Sequence, residues 1–184
     1  VDTLLSDGIV GRKGAFPREW SERMRQEMMT GFWNAIRRPG GAVGRGARRW
    51  YVEIHPQEFS GFVELCTHPW VSAMCEAALG PDYKIVEIGF DTPFEGAKYQ
   101  PWHRDFPSTS ESYAEHRRPS LPFNMTSVDV WPDMGPFEIT TGTQFEDGRG
   151  RQARMFVPAS EWERLSTIGP RKFPQQGAIS CRSE

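Results

Sequence analysis

The segment Trp102-His103-Arg104-Asp105-Phe106 places an imidazole and a carboxylate two residues apart among aromatic residues. Side chains at positions i and i+2 of an extended strand project from the same face, so we expect His103 and Asp105 to point the same way. One nitrogen and one oxygen donor that converge supply two of the three ligands in the 2-His-1-carboxylate site of non-haem Fe(II) oxygenases. The same pair is also compatible with exposed polar residues or with a hydrogen-bonded His–Asp couple.

The chain around this segment has the pattern of several short strands. Alternation of apolar and polar residues predicts strands over 50–54, 82–90 and 121–131, a shorter strand within 135–144, and a last strand beginning at Gly177. Turn residues recur at intervals of roughly ten residues, which is typical of an all-β sandwich or jelly roll. We therefore predict a mainly β fold with flanking helices.

The N-terminal part has the spacing of helices instead. Apolar residues recur every fourth position between Pro17 and Arg38, which predicts an amphipathic helix opened by a proline in its first turn. Two shorter helices are predicted at 56–65 and from Pro69 to Gly80. We expect one domain over residues 1–184, with a helical portion over about 1–80 and a jelly-roll portion over about 82–184.

Composition excludes several classes of function. The 22 basic and 24 acidic residues give a formal charge of -2, which favours neither nucleic acid nor an anionic membrane as a partner. The three cysteines have no Cys-x-x-Cys spacing, so neither a disulfide framework nor a zinc site is indicated. No apolar run approaches the roughly 18 residues of a membrane span. These features predict a soluble, cytoplasmic protein.

Two polar segments and three other histidines have less specific patterns. Residues 39–49 form a glycine-rich loop with three arginines, which predicts either a rim for an anionic substrate group or a solvated loop. The polar stretch from Pro107 to Pro119 is typical of a lid beside a site. His55 and His68 each precede a proline at a predicted helix start, which favours capping or loop roles, and His116 lies among charged residues, which is typical of a surface position.

The ordered set Gln100-x-x-His103-x-Asp105, a following strand, and the run from Gly135 to Gln144 resembles the phytanoyl-CoA dioxygenase family of Fe(II)/2-oxoglutarate oxygenases. The resemblance covers about residues 82–181. It implies a double-stranded β-helix, which is a cupin-like jelly roll with helices on one side. The run departs from the family at Thr141, Thr143 and Gln144, where the family usually has Pro, Ser and His.

The resemblance implies a site and a reaction. His103 and Asp105 would bind Fe(II) together with a later histidine, and Gln100, Asn124 and Thr141 are the candidates for contact with 2-oxoglutarate. The protein would use O2 to hydroxylate or desaturate a small organic substrate, with release of succinate and CO2. The family's second iron histidine and its 2-oxoglutarate arginine belong to strands beyond Gly177, so we expect the chain to continue after Glu184.

Two alternatives remain at the level of sequence. A cupin-type metal enzyme that does not use 2-oxoglutarate would share the jelly roll but usually needs more histidines than the four present. A non-catalytic jelly-roll binding module would use His103 and Asp105 only as a hydrogen-bonded pair.

Overall fold

The computed structural model describes residues 1–106, 111, 114–115, 119–145, 155–168, 171–172 and 174–183. The α-helices are α1 (Asp2–Asp7), α2 (Arg18–Ala35), α3 (Phe62–Cys66), α4 (Pro69–Leu79) and α5 (Trp162–Ile168). The strands are β1 (Ile9–Arg12), β2 (Val43–Gly44), β3 (Arg49–Glu53), β4 (Gly89–Pro93), β5 (Phe123–Met125), β6 (Phe137–Glu138), β7 (Arg171–Lys172) and β8 (Ile179–Arg182). Single turns of 3₁₀ helix cover Pro56–Glu58, Pro132–Met134 and Ala159–Glu161.

The strands form antiparallel sheets. The first sheet has the order β1-β8-β5, the second sheet has the order β2-β3-β4, and β6 pairs with β7. In the central strand β8, Ile179 and Cys181 are buried, whereas Ser180 and Arg182 are only partly covered. Successive side chains of a strand point to opposite faces. Ser180 and Arg182 therefore lie on the face of the first sheet that is turned away from this apolar core.

Helix α2 provides one side of the main apolar cluster. Its buried residues Trp20, Met24 and Phe32 pack with Phe16, Val52, Phe62 and Phe90. The predicted helix over 17–38 is confirmed, although it ends at Ala35 and its C-cap residue Ile36 is exposed. The predicted helix at Pro69 is also confirmed, and it buries Val71, Met74 and Cys75.

The fold class is mixed. Sheets with flanking helices are present, as predicted, and the sheets are antiparallel, but helical residues outnumber strand residues in the part of the chain that is described. The prediction of β-sheets with flanking helices is therefore confirmed, whereas the predicted predominance of strands is not.

Several predicted strands are wrong in position or length. Residues 83–88 are irregular, with Val86 79% exposed, and the strand begins only at Gly89. The strand predicted over 121–131 is limited to Phe123–Met125. Alternation marks a stretch that can lie in a sheet, but a partner strand must also pair with it. β3 pairs with 89–93 and leaves 83–88 without a partner strand in the described structure.

The run from Gly135 to Gln144 contains β6 and then turns against the N-terminal helix. The Gly142 N–H donates to the carbonyl of Asp7 at 2.9 Å, and Gln144 Nε2 donates to the carbonyl of Leu5 at 2.9 Å. These bonds use carbonyls at the end of α1, which have no partner within the helix. The same turn also contacts the His103 segment, because the Thr143 carbonyl accepts a hydrogen bond from the Arg104 guanidinium. The turn therefore connects the end of α1 with that segment.

None of the helices in the described residues combines the length and the apolar character needed to cross a lipid bilayer.

Candidate functional site: the His103–Asp105–Arg182 cluster

The two residues of the H-x-D segment converge. The chain at 102–104 is extended and bonds to 155–157 through the Arg104 N–H on the Met155 carbonyl and the Val157 N–H on the Trp102 carbonyl, both at 2.9 Å. This contact is a single bridge between His103 and Phe156 rather than the predicted strand. It is enough to bring His103 Nε2 to 3.3 Å from Asp105 Oδ1.

The His103 ring has an oxygen acceptor beside each nitrogen. Its Nδ1–H donates to the carbonyl of Pro101 at 2.7 Å, because that oxygen can only accept. If the ring is neutral, Nε2 then carries a lone pair facing the Asp105 carboxylate, which is repulsive. The arrangement favours either an imidazolium, with a second proton on Nε2, or a cation between Nε2 and Oδ1. In the metal-free protein, the hydrogen bond with Asp105 raises the pKa of His103.

Asp105 is shared between two cationic partners. While Oδ1 faces His103, Oδ2 accepts a hydrogen bond from Arg182 Nη2 at 2.6 Å. The hydrogen bond from His103 and the adjacent Arg182 charge hold the pKa of Asp105 well below its usual range. The side chains of His103, Asp105 and Arg182 are 23%, 34% and 13% exposed, so the cluster is half-buried and still open to solvent on the carboxylate side.

Arg182 is the residue of this cluster that sequence reasoning missed. It comes from β8, 77 residues after Asp105, and its guanidinium lies 5.3 Å from the centre of the Phe137 ring. Alternation continued along the last predicted strand from Gly177 would have indicated that Arg182 lies on its polar side. Nothing local to either residue showed that this side faces Asp105.

The three residues predicted to contact 2-oxoglutarate have different positions. Asn124 pairs with Ser180 across β5 and β8, so it lies on the same sheet face as Arg182 and is exposed. Gln100 is half-buried in irregular chain before His103, and Thr141 lies in the turn after β6. Within the residues that can be described, no side-chain hydrogen bond joins any of the three to the His103–Asp105 pair.

The other histidines do not approach this cluster as ligands in the described structure. His68 caps α4, with Nδ1 accepting from the Trp70 N–H at 3.2 Å and Nε2 donating to the Ala15 carbonyl at 3.2 Å, so the predicted capping role is confirmed. His55 is exposed at the start of a 3₁₀ turn and makes no side-chain cap. His116 lies outside the described residues. Over those residues, no group of three metal-ligating side chains is present.

The arginines of the 39–49 loop make contacts within the second sheet. Arg45 lies over the Tyr51 ring at 4.0 Å, Arg48 donates to the Glu95 carbonyl at 2.9 Å, and Arg49 forms an ion pair with Asp91. The three arginines thus contact neighbouring residues of the fold, which favours a structural role for them over a rim that binds an anionic substrate group. Most of the predicted lid at 107–119 lies outside the described residues.

Neither the known family models nor the curated protein sequences give a match to this chain.

Proposed function

We propose that the protein is an Fe(II)- and 2-oxoglutarate-dependent dioxygenase in which His103 and Asp105 hold the metal. The observation that carries the proposal is the 3.3 Å approach of His103 Nε2 to Asp105 Oδ1, combined with the bond from Nδ1 to the Pro101 carbonyl. Metal-binding histidines commonly donate their second ring N–H to a carbonyl or carboxylate, which fixes the tautomer that exposes a lone pair.

The donor pair fits one edge of a metal coordination shell. Two adjacent ligands that each lie about 2.1 Å from a first-row metal are about 3 Å apart, close to the observed 3.3 Å. The donor set of one imidazole and one carboxylate also suits Fe(II). A third protein donor is required, and the described residues do not provide it. Its identification is therefore part of the proposal's test.

Bound iron would supply the activation of O2 and the oxidative decarboxylation of 2-oxoglutarate. The chain's own residues would orient the reactants and limit access of water. The ring of Phe156, 5.9 Å from that of His103 and 55% exposed, would form an apolar rim beside the pair. Gln100, Asn124 and Thr141 stay the candidates for 2-oxoglutarate, and the exposed position of Asn124 on the Arg182 face supports its inclusion.

The double-stranded β-helix fold, the reactants and the cellular location are part of the same proposal. A double-stranded β-helix would be built on the first sheet and the β6–β7 pair, whose residues Arg182 and Phe137 already meet beside Asp105. The reactants would be a small organic molecule, hydroxylated or desaturated, and O2, in a cytoplasmic protein that binds neither nucleic acid nor membrane.

Production of succinate tests this function. The full-length native polypeptide is incubated with Fe(II), 2-oxoglutarate and O2, and succinate is quantified. We expect succinate that requires Fe(II), and a loss of at least about a hundredfold in Asp105→Asn, which removes the carboxylate charge. His55→Ala is the matched control, because His55 is exposed and makes no side-chain cap. Absence of succinate, or equal production by Asp105→Asn, contradicts the proposal.

A non-catalytic binding module is the second candidate, and one contact favours it. The ion pair with Arg182 at 2.6 Å already neutralises the Asp105 carboxylate, and an imidazolium on His103 would satisfy its other oxygen, without any metal. In that case Asp105→Asn would lower the melting temperature while the wild type bound no Fe(II). Parallel measurements of metal binding and of thermal unfolding separate the two functions.

A further inference from the structure

Arg182 is held firmly by the first sheet. It lies on the central strand, where it is the register partner of Ile9 on one side and donates its N–H to the Pro122 carbonyl at 2.9 Å on the other. Its side chain is 13% exposed and its guanidinium lies beside the Phe137 ring. A side chain fixed in this way can serve as a reference point for residues on less regular segments.

Asp105 lies on such an irregular segment. The 2.6 Å bond from Arg182 Nη2 to Oδ2 ties the carboxylate to the first sheet. With Oδ2 held by the guanidinium, the other oxygen is the one that lies 3.3 Å from His103 Nε2. The contact with Arg182 therefore fixes the orientation of the carboxylate, so that a single oxygen is presented beside the imidazole.

A guanidinium at this position has two opposing effects on a metal cation. Its positive charge repels the cation, so removal of the charge would strengthen metal binding. Its hydrogen bond orients the ligand carboxylate, and removal of such a partner typically weakens metal binding by 10- to 100-fold. Whether substitution of Arg182 weakens or strengthens metal binding shows which of the two effects dominates.

We propose that Arg182 is a positioning residue of the metal site, which holds Oδ2 of Asp105 so that Oδ1 alone is offered to the metal together with His103 Nε2. This inference rests on the proposed function, because it assigns His103 and Asp105 as ligands. It goes further by giving the site a third functional residue from a separate part of the chain.

Binding of Mn(II), followed by electron paramagnetic resonance in the presence of 2-oxoglutarate, tests the proposal. We expect Arg182→Met and Arg182→Lys to bind Mn(II) about 10- to 100-fold more weakly than the wild type. Lysine keeps the positive charge but not the planar guanidinium. Weaker Mn(II) binding in both variants therefore supports the view that Arg182 acts by orienting the Asp105 carboxylate. Arg18→Met is the matched control, since it removes another Arg–Asp pair, at 3.0 Å from Asp129. Unchanged or tighter binding by Arg182→Met overturns the proposal.

The structure of the metal-free variant gives a second, independent result. In crystals of Arg182→Met, or of Arg182→Lys if the methionine variant does not fold, we expect the Asp105 carboxylate to turn away from His103. If Oδ1 stays 3.3 Å from Nε2, as it is in the wild type, the positioning role is overturned. A wild type that binds no Mn(II) contradicts the proposed metal site and, with it, the role of Arg182 there, whereas normal Mn(II) binding with an unchanged Asp105 geometry overturns the role of Arg182 alone.

Discussion

At the scale of single residues, the convergence of His103 and Asp105 is what sequence predicts correctly. This convergence follows from local geometry, because i and i+2 share a face wherever the chain is extended. A single bridge to Phe156 keeps the chain extended here. Arg182 could not be predicted in the same way, since its contact with Asp105 depends on how two distant segments pack.

Cys181 gives a prediction about pH at this scale. The thiol is fully buried on β8, and burial raises its pKa to about 12 from an ordinary value of 9.0. Above pH 9 the unfolded thiol ionises and the folded one does not, so the stabilisation present below pH 9 is lost as pH rises. We expect the free energy of unfolding to fall more steeply between about pH 9 and pH 12 in the wild type than in Cys181→Ala.

Urea unfolding at several pH values measures these slopes. A constant offset between the two proteins is expected from the small cavity that alanine leaves. Parallel pH profiles would show that Cys181 ionises equally easily in both states, and the burial of β8 would then be wrong.

At the scale of secondary structure elements, prediction succeeded where the signal is local. The four-residue spacing and the starting prolines identified α2 and α4, because a helix is stabilised by neighbours in sequence and one apolar stripe. The helix α1 and the strand β1 were not predicted. β1 pairs with β8 at the other end of the chain, so its strand character depends on a partner that no local pattern reveals.

Gly177 at the start of the β8 segment gives a prediction for an element junction. Its φ of 78° is left-handed, and an added Cβ would lie 2.4 Å from the carbonyl oxygen of Phe16, just before α2. Gly14 also has a left-handed φ, of 59°, but a Cβ there would meet nothing within 4 Å. We expect Gly14→Ala to cost about 1–2 kcal/mol from backbone conformation alone, and Gly177→Ala about 3 kcal/mol or more.

Chemical unfolding of the two variants measures the difference. The comparison isolates the clash, because both substitutions carry the same conformational penalty. Equal losses of stability would mean that the chain at residue 16 does not approach β8 as closely as the structure has it.

At the scale of the whole molecule, β8 connects the parts that matter for function. It pairs with the N-terminal strand β1 and with β5, buries Ile179 and Cys181 in the core, and presents Arg182 to Asp105. Sequence predicted a strand at this position and flanking helices. It did not predict the sheet order, because strand pairing over such separations is determined by packing rather than by local pattern.

The central claim is that His103 and Asp105 form one edge of a single metal site. Anaerobic calorimetric titration of the native protein with Fe(II) in the presence of 2-oxoglutarate tests it most directly. We expect one Fe(II) per chain in the wild type and in His55→Ala, and an affinity for Fe(II) lower by at least about tenfold in both His103→Ala and Asp105→Asn. Fe(II) binding that is absent in the wild type, or equally strong in the His103 and Asp105 variants, would contradict it.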